Sequence, residues 1–190
     1  MNAVETTVPR EVLNSVIILV DVQNLFFSCR DAFGLAARLD FRKLAELALN
    51  GRKFRHIRRI AYLASDPDDQ PKSFIQALEK LAYEVKRSDI RRHEKGKASQ
   101  TNIDIKLAND ATNTKIGGKD PDVVVVASGD SGYSAVYHTL KERGIRAEVL
   151  AFPSSLGGEV KEVADDVRLL GREHLFESWT DAPELKELRV

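Results

Sequence analysis

The stretch Val123-Val124-Val125-Val126-Ala127 most constrains what this chain can fold into. An unbroken apolar run that is mostly β-branched suits a strand buried on both faces. It leads into Ser128-Gly129-Asp130-Ser131, where small residues let the backbone turn and leave a carboxylate at the strand tip. Val16-Ile17-Ile18-Leu19-Val20-Asp21 has the same grammar. In an open parallel sheet, ligands sit beyond the carboxyl ends of strands, where neighbouring connections diverge to opposite faces. Asp21 and Asp130 are therefore candidates for one shared site.

The remaining chain alternates helical and extended patterns. Asp40 is placed to cap a helix with Phe41, Leu44, Ala45, Leu47 and Ala48 on its apolar face, ended by Asn50-Gly51. A strand follows over Ile57–Ala64, then a helix opened by Pro71 and carrying Phe74, Ile75, Leu78 and Leu81. Tyr83–Lys86 is extended, Thr101–Thr114 helical, Tyr133–Arg143 helical and Arg146–Phe152 extended. A short helix at Gly158–Ala164, an edge strand at Val167–Leu170 and a terminal helix at Pro183–Leu188 complete the pattern. Asn24-Leu25-Phe26-Phe27 is read as a connection whose aromatics pack under the site. Alternation of this kind implies right-handed crossovers. The expected fold is α/β, a three-layer α/β/α domain with a central, mostly parallel sheet of five or six strands. Residues 1–190 are expected to form one domain, with its core at about 15–170, a loose N-terminal lead-in and the short C-terminal helix.

Lys+Arg and Asp+Glu are equal at 29 each, so contact with a polyanion needs a local basic patch and not a global field. The single cysteine, Cys29, excludes an internal disulfide and fits a cytoplasmic location. No apolar stretch approaches the roughly 18 residues of a membrane span, and the polar N-terminus does not resemble a secretory signal.

Asp104 is the third acidic candidate. Thr101-Asn102-Ile103-Asp104 has a capping-box pattern, which explains the acid without function. Yet the small Ala108 and Ala111 would let the helix lie close to a strand edge and bring Asp104 to the sheet tip. Asp110 sits about 240° around that helix and can only support. Asp21 and Asn24 have ordinary readings as cap or turn residues. Three converging acids repel one another unless a cation joins them. Oxygen-only donors favour Mg²⁺ or Mn²⁺, ions suited to phosphodiester chemistry. A basic stretch with Arg87, Arg91, Arg92, His93, Lys95 and Lys97 directly precedes the Asp104 helix. Such runs are often only solvated loops, but beside an acidic centre they suit a phosphate backbone. Gly129-Asp130-Ser131-Gly132 spells the nucleophile motif of trypsin-like proteases, whose all-β fold this chain does not share. Gly117-Gly118-Lys119-Asp120 lacks the spacing of a phosphate loop.

With these residues in place, the chain resembles a NYN domain of the LabA-like group, within the PIN-like nuclease superfamily. The resemblance rests on Val20-Asp21-Val22-Gln23-Asn24-Leu25, on Thr101-Asn102-Ile103-Asp104 through Asp110, and on Val126-Ala127-Ser128-Gly129-Asp130-Ser131-Gly132-Tyr133. Ser155-Leu156 and Ala164-Asp165 add a weaker piece. The resemblance implies a PIN-like fold and metal-dependent cleavage of RNA, with Asp21, Asp104 and Asp130 as metal-binding, catalytic acids and Asn24 as the site asparagine. Ser128 and the basic residues Arg91, Arg92, Lys95 and Lys97 are then expected to engage RNA. RNA is the expected partner, a homodimer is an option, and no membrane partner is expected.

The family pattern usually carries a second acid two residues after the Asp130 position. Here Gly132 stands there, followed by Tyr133. The departure implies one metal instead of two. It also supplies the alternative reading, a catalytically weakened NYN domain acting as an RNA-binding or scaffold module. A weaker rival is a flavodoxin-like domain that binds a nucleotide or accepts a phosphoryl group at Asp130.

Overall fold

The computed structural model describes residues 13–65, 72–89, 91–92, 98–99 and 103–177. The lead-in before residue 13, the Pro71 helix start, Lys95, Lys97 and the Pro183–Leu188 helix lie outside these residues. Eight strands are described: β1 Leu13–Asp21, β2 Phe54–Ser65, β3 Tyr83–Asp89, β4 Arg91–Arg92, β5 Ala98–Ser99, β6 Val123–Ala127, β7 Arg146–Ala151 and β8 Asp166–Leu169. The helices are α1 Val22–Phe33, α2 Phe41–Leu49, α3 Lys72–Lys80, α4 Ile103–Asn113, α5 Ser134–Glu142 and α6 Gly158–Val163.

Six strands form one sheet in the order β3-β2-β1-β6-β7-β8, with every neighbouring pair parallel. The sheet upholds the expected α/β class at the six-strand end of the expected range. The two short strands β4 and β5 form a separate antiparallel ribbon. Chain order runs outward in one direction from β1 and in the other from β6. These two central strands lie side by side, with Val20 opposite Ala127. The reversal of direction leaves a crevice between their carboxyl ends.

The apolar runs of β1 and β6 are continuous because both faces of the sheet are covered. Val16, Ile18 and Val20 pack with Val123, Val125 and Ala127 under α1, α2 and α3. Ile17 and Leu19 pack with Val124 and Val126 under α4, α5 and α6. Each fully buried Val, Leu or Ile contributes roughly 1.5–3 kcal/mol, so the strands that carry the site residues are also the best-anchored part of the sheet. Asp40 caps α2 as the sequence predicts, accepting from the N–H groups of Arg42 and Lys43.

One expectation changes. The Asn24–Phe27 segment is not an irregular connection but the first turns of α1. Phe27 points outward, 52% exposed. Phe26 is half-buried and lies under the guanidinium groups of Arg30 and Arg38, 5.0 and 5.8 Å from its ring centre. Neither aromatic belongs to the two core clusters that underlie the strand tips. Among the described residues, no helix is long and apolar enough to cross a membrane.

Candidate active site

Asp21 is both the last residue of β1 and the N-cap of α1. Its Oδ1 accepts from the Asn24 N–H at 3.0 Å, the usual service of a capping carboxylate. The ordinary reading and the functional one thus describe the same residue, since the cap leaves Oδ2 for other work. That oxygen accepts from the Ser128 hydroxyl and lies within reach of the Tyr133 hydroxyl, which it shares with Asp104, each at 3.4 Å. Asp21 is 4% exposed. Burial raises its carboxyl pKa above the ordinary aspartate value, the Asn24 N–H opposes this, and the negative charge of Asp104 raises it further.

Asp104 arrives from the opposite layer, in the first turn of α4. Leu107 and Ala111 are buried and Ala108 packs against the same cluster, so the helix sits against the sheet on a small-residue face. Asp104 remains open to solvent, but its Oδ1 accepts from the Tyr133 hydroxyl at 3.1 Å. Thr101 and Asn102, which the capping-box reading needs, lie outside the described residues. Tyr133 is buried apart from that reach into the crevice, and burial together with Asp21 and Asp104 raises the pKa of its phenol far above the normal range.

Asp130 behaves differently. It is exposed and caps the short 3-10 turn Ser131–Tyr133, its Oδ1 accepting from the Gly132 N–H at 2.8 Å. Its charge reaches Tyr133. Among the described residues, no three acidic, histidine or cysteine side chains stand close enough to hold one metal ion. The structure thus gathers Asp21 and Asp104 around one hydroxyl and leaves Asp130 at the rim. The physical reason is local: the turn after β6 offers Asp130 a free N–H two residues on. The gathered donors are all oxygen and net negative, which fits a hard divalent cation. The Gly132 N–H engages Asp130 Oδ1 alone.

Asn24 and Ser128 brace the crevice from beneath. Asn24 Oδ1 accepts from the Gly129 N–H at 3.1 Å, and its backbone carbonyl accepts from Ser28 Oγ at 2.7 Å. Ser128 is 1% exposed. Its hydroxyl donates to Asp21 and accepts from the Asp130 N–H at 3.3 Å. Ser128, expected to engage RNA, has its hydroxyl occupied here in orienting the acids. The floor is completed by the loop after β7, where Gly157 N–H donates to the Gly129 carbonyl at 2.8 Å.

Asp110 belongs to a neighbouring cluster. Its Oδ2 accepts from Tyr62 Oη at 2.5 Å and from Lys86 Nζ at 2.7 Å. Lys86, Arg87, Lys106, Asn109 and Asp110 line a groove of about 320 Å³ along α4, the helix that carries Asp104. Arg91 and Arg92 form β4 of the adjacent ribbon, and their side chains, like those of Lys95 and Lys97, lie outside the described residues. Sequence reasoning missed the bridging hydroxyl of Tyr133 and the Lys86–Asp110–Tyr62 cluster. For Tyr133 a signal was present, a hydroxyl-bearing ring directly after the missing acid.

Comparison with known proteins agrees with this architecture. The family model described as the NYN domain matches residues 15–170. A crystal structure of a protein of unknown function from Vibrio parahaemolyticus is similar, with a TM-score of 0.70 at 21% identity, covering 86% of this chain and 97% of that one. The Acinetobacter baumannii MurG structure also matches, at a TM-score of 0.44 and 13% identity, covering 87% of this chain and 43% of its own. Among curated proteins none matches significantly. NYN domains are nuclease-type domains with a PIN-like fold, and the chain belongs to that family.

Proposed function

We propose that this protein is a metal-dependent ribonuclease of the LabA-like group that hydrolyses RNA phosphodiester bonds. The observation that carries the reading is the meeting of Asp21 and Asp104, from opposite layers of the fold, within 3.4 and 3.1 Å of one hydroxyl oxygen. Two carboxylates brought together at a buried crevice, one of them with its pKa raised by burial and by the other, suit a cationic guest. Asp21 and Asp104 would hold Mg²⁺ or Mn²⁺, with Asp130 supplying a third oxygen from the rim. Such an ion, when bound, offsets charge on a phosphodiester and makes water a better nucleophile.

The chain's own residues do the rest. Asn24 and Ser128 hold Asp21 in one orientation, so the carboxylate need not reorganise when substrate arrives. Arg91, Arg92, Lys95 and Lys97 neutralise phosphates of the incoming strand. Lys106 and Arg87, beside the groove on α4, extend that basic surface toward Asp104. A cytoplasmic setting belongs to this reading and accords with the one free, buried cysteine.

The test is the full chain with end-labelled RNA and a single-stranded DNA control, in Mn²⁺, in Mg²⁺ and in chelator. RNA should be shortened with either ion and left intact in chelator. Asp104→Asn, at an exposed position, should keep the fold and abolish turnover. Undiminished cleavage by that variant would sink the assignment.

A second reading is a NYN domain that binds RNA without cutting it. Gly132, which contributes no carboxylate, and the engagement of Asp130 by the Gly132 N–H favour it. RNA retained in gel shifts at every ion concentration, with no shortening, is its expected signature.

A further inference from the structure

The Tyr133 hydroxyl sits within hydrogen-bond range of both carboxylates that the proposed site depends on. Its oxygen is 3.1 Å from Asp104 Oδ1 and 3.4 Å from Asp21 Oδ2. The ring is held by burial in the cluster that includes Ile103 and Leu107 of α4 and Ile17 and Leu19 of β1, so the hydroxyl has little freedom to be elsewhere. A phenol has one proton to donate. It therefore stabilises one carboxylate at a time while keeping the two spaced around its own oxygen.

A hard cation shared by the same two oxygens would need them at about 2.0–2.1 Å in the case of Mg²⁺. An ion that binds these two oxygens sits nearer to them than the hydroxyl oxygen does, at 3.1 and 3.4 Å. Where it takes the lone pairs that face the phenol, it competes with the phenol's single proton for them. We propose that Tyr133 is an internal competitor for the cation: its hydroxyl occupies the Asp21–Asp104 junction and sets how tightly a divalent ion is held there. Tyr133 is thus a positioning residue acting through the two acids. The inference rests on the reading that this pair takes a divalent cation.

The prediction has a definite sign. A hydrogen bond to a charged group stabilises more than one between neutral groups. Removing the hydroxyl withdraws that support from the metal-free state, so Tyr133→Phe should bind Mn²⁺ about tenfold tighter or more. Damage to the packing around the ring would weaken binding, so the direction separates the proposed role from a structural one.

The experiment is a Mn²⁺ titration of the full chain, reading free ion by electron paramagnetic resonance, for wild type, Tyr133→Phe and Asp104→Asn, with far-ultraviolet circular dichroism to verify folding. Tighter binding in Tyr133→Phe, together with loss of binding in Asp104→Asn, supports the proposal. Equal or weaker binding in Tyr133→Phe, with loss in Asp104→Asn, overturns it and leaves the metal-site reading standing. Binding absent from both wild type and Tyr133→Phe up to millimolar ion, or unaffected by Asp104→Asn, overturns the proposal and the metal-site reading together.

Discussion

Asn24 and Gly129 join the tips of the two central strands: the side-chain carbonyl of Asn24 accepts from the Gly129 N–H at 3.1 Å. Asn24 also offers its own N–H to Asp21 at 3.0 Å. One residue therefore both completes a helix cap and fixes the separation of β1 and β6 at the crevice. Asn24→Ala keeps the backbone donor and loses the latch. We expect a loss of about 1–2 kcal/mol in urea unfolding, the cost of leaving a partly buried N–H without its acceptor. We also expect a fall in RNA cleavage beyond what the lost folded fraction explains.

Two glycines close in sequence should respond in opposite ways. A Cβ at Gly129 would lie 2.3 Å from the Ser155 carbonyl oxygen, which is backbone and cannot step aside. Gly129→Ala should destabilise by about 3 kcal/mol or more, at the upper end of the range for overpacking. A Cβ at Gly132 would have as its nearest neighbours the carboxylate atoms of Asp130, Oδ1 closest at 3.3 Å, the movable end of a side chain. Gly132→Ala should unfold within about 0.5 kcal/mol of wild type, as exposed substitutions usually do. Gly132→Asp should likewise fold, and by adding an acid beside Asp130 should raise Mn²⁺-dependent cleavage. Thermal melts and the RNA assay read both positions.

The parts of the fold that could be read in advance are those where one pattern serves one purpose. Val16–Val20 and Val123–Ala127 are apolar at every position because both faces are covered, and no alternative element satisfies such short runs as well. The acids at their tips were legible because each closely follows an unbroken apolar run, at the point where the strand leaves the sheet. The helical character of α1 was not. Its adjacent Phe26 and Phe27 blur the apolar stripe, and only the structure shows that one is covered by arginines while the other faces solvent. Asp104 could be placed near the tips from its small neighbours on α4, but the direction of Asp130 depends on a turn N–H that no side-chain pattern announces. Glu148, inside the predicted strand Arg146–Phe152, gives no sign in sequence of being buried. Arg146 is its near neighbour on β7, but Arg52 and Arg168 come from separate stretches of chain.

Asp21 should be costly to stability while it serves the site. Burial and the Asp104 charge raise its pKa in the folded state above the unfolded value. The folded protein then holds that proton more readily, so stability is fully present below the unfolded aspartate value near 4 and is lost as pH rises through the raised one. Asp21→Asn retains a capping oxygen and removes the charge. It should melt higher than wild type at pH 7, by about 1 kcal/mol, the ordinary size of a stabilising change. The difference should close as pH falls toward 3–4, and cleavage should be lost throughout. A melting series from pH 3 to 8 for both proteins measures it.

Glu148 should show the opposite pH dependence. It lies on β7, fully buried, and accepts from Arg52 at 2.6 and 2.7 Å and from Arg146 at 2.6 Å, with Arg168 closing the set. Burial would raise its carboxyl pKa, but the three guanidinium groups outweigh burial and hold it below the usual range. Arg168 and Arg52 also donate to carbonyls at the end of α2, so the buried carboxylate ties that helix to β7 and β8. A lowered folded-state value means this stability is present above the unfolded glutamate value near 4.3 and is lost as pH falls through the folded one. Glu148→Gln leaves the arginines facing a neutral amide. It should cost about 3–5 kcal/mol at pH 7, the size expected for breaking a buried ion pair. Below the unfolded value the gap to wild type should begin to narrow, because the unfolded chain then takes up a proton that the folded carboxylate still refuses. Urea unfolding at pH 7 and at pH 3.5 checks both the magnitude and the sign, and an unchanged gap would show that the carboxylate is not the charge these arginines answer.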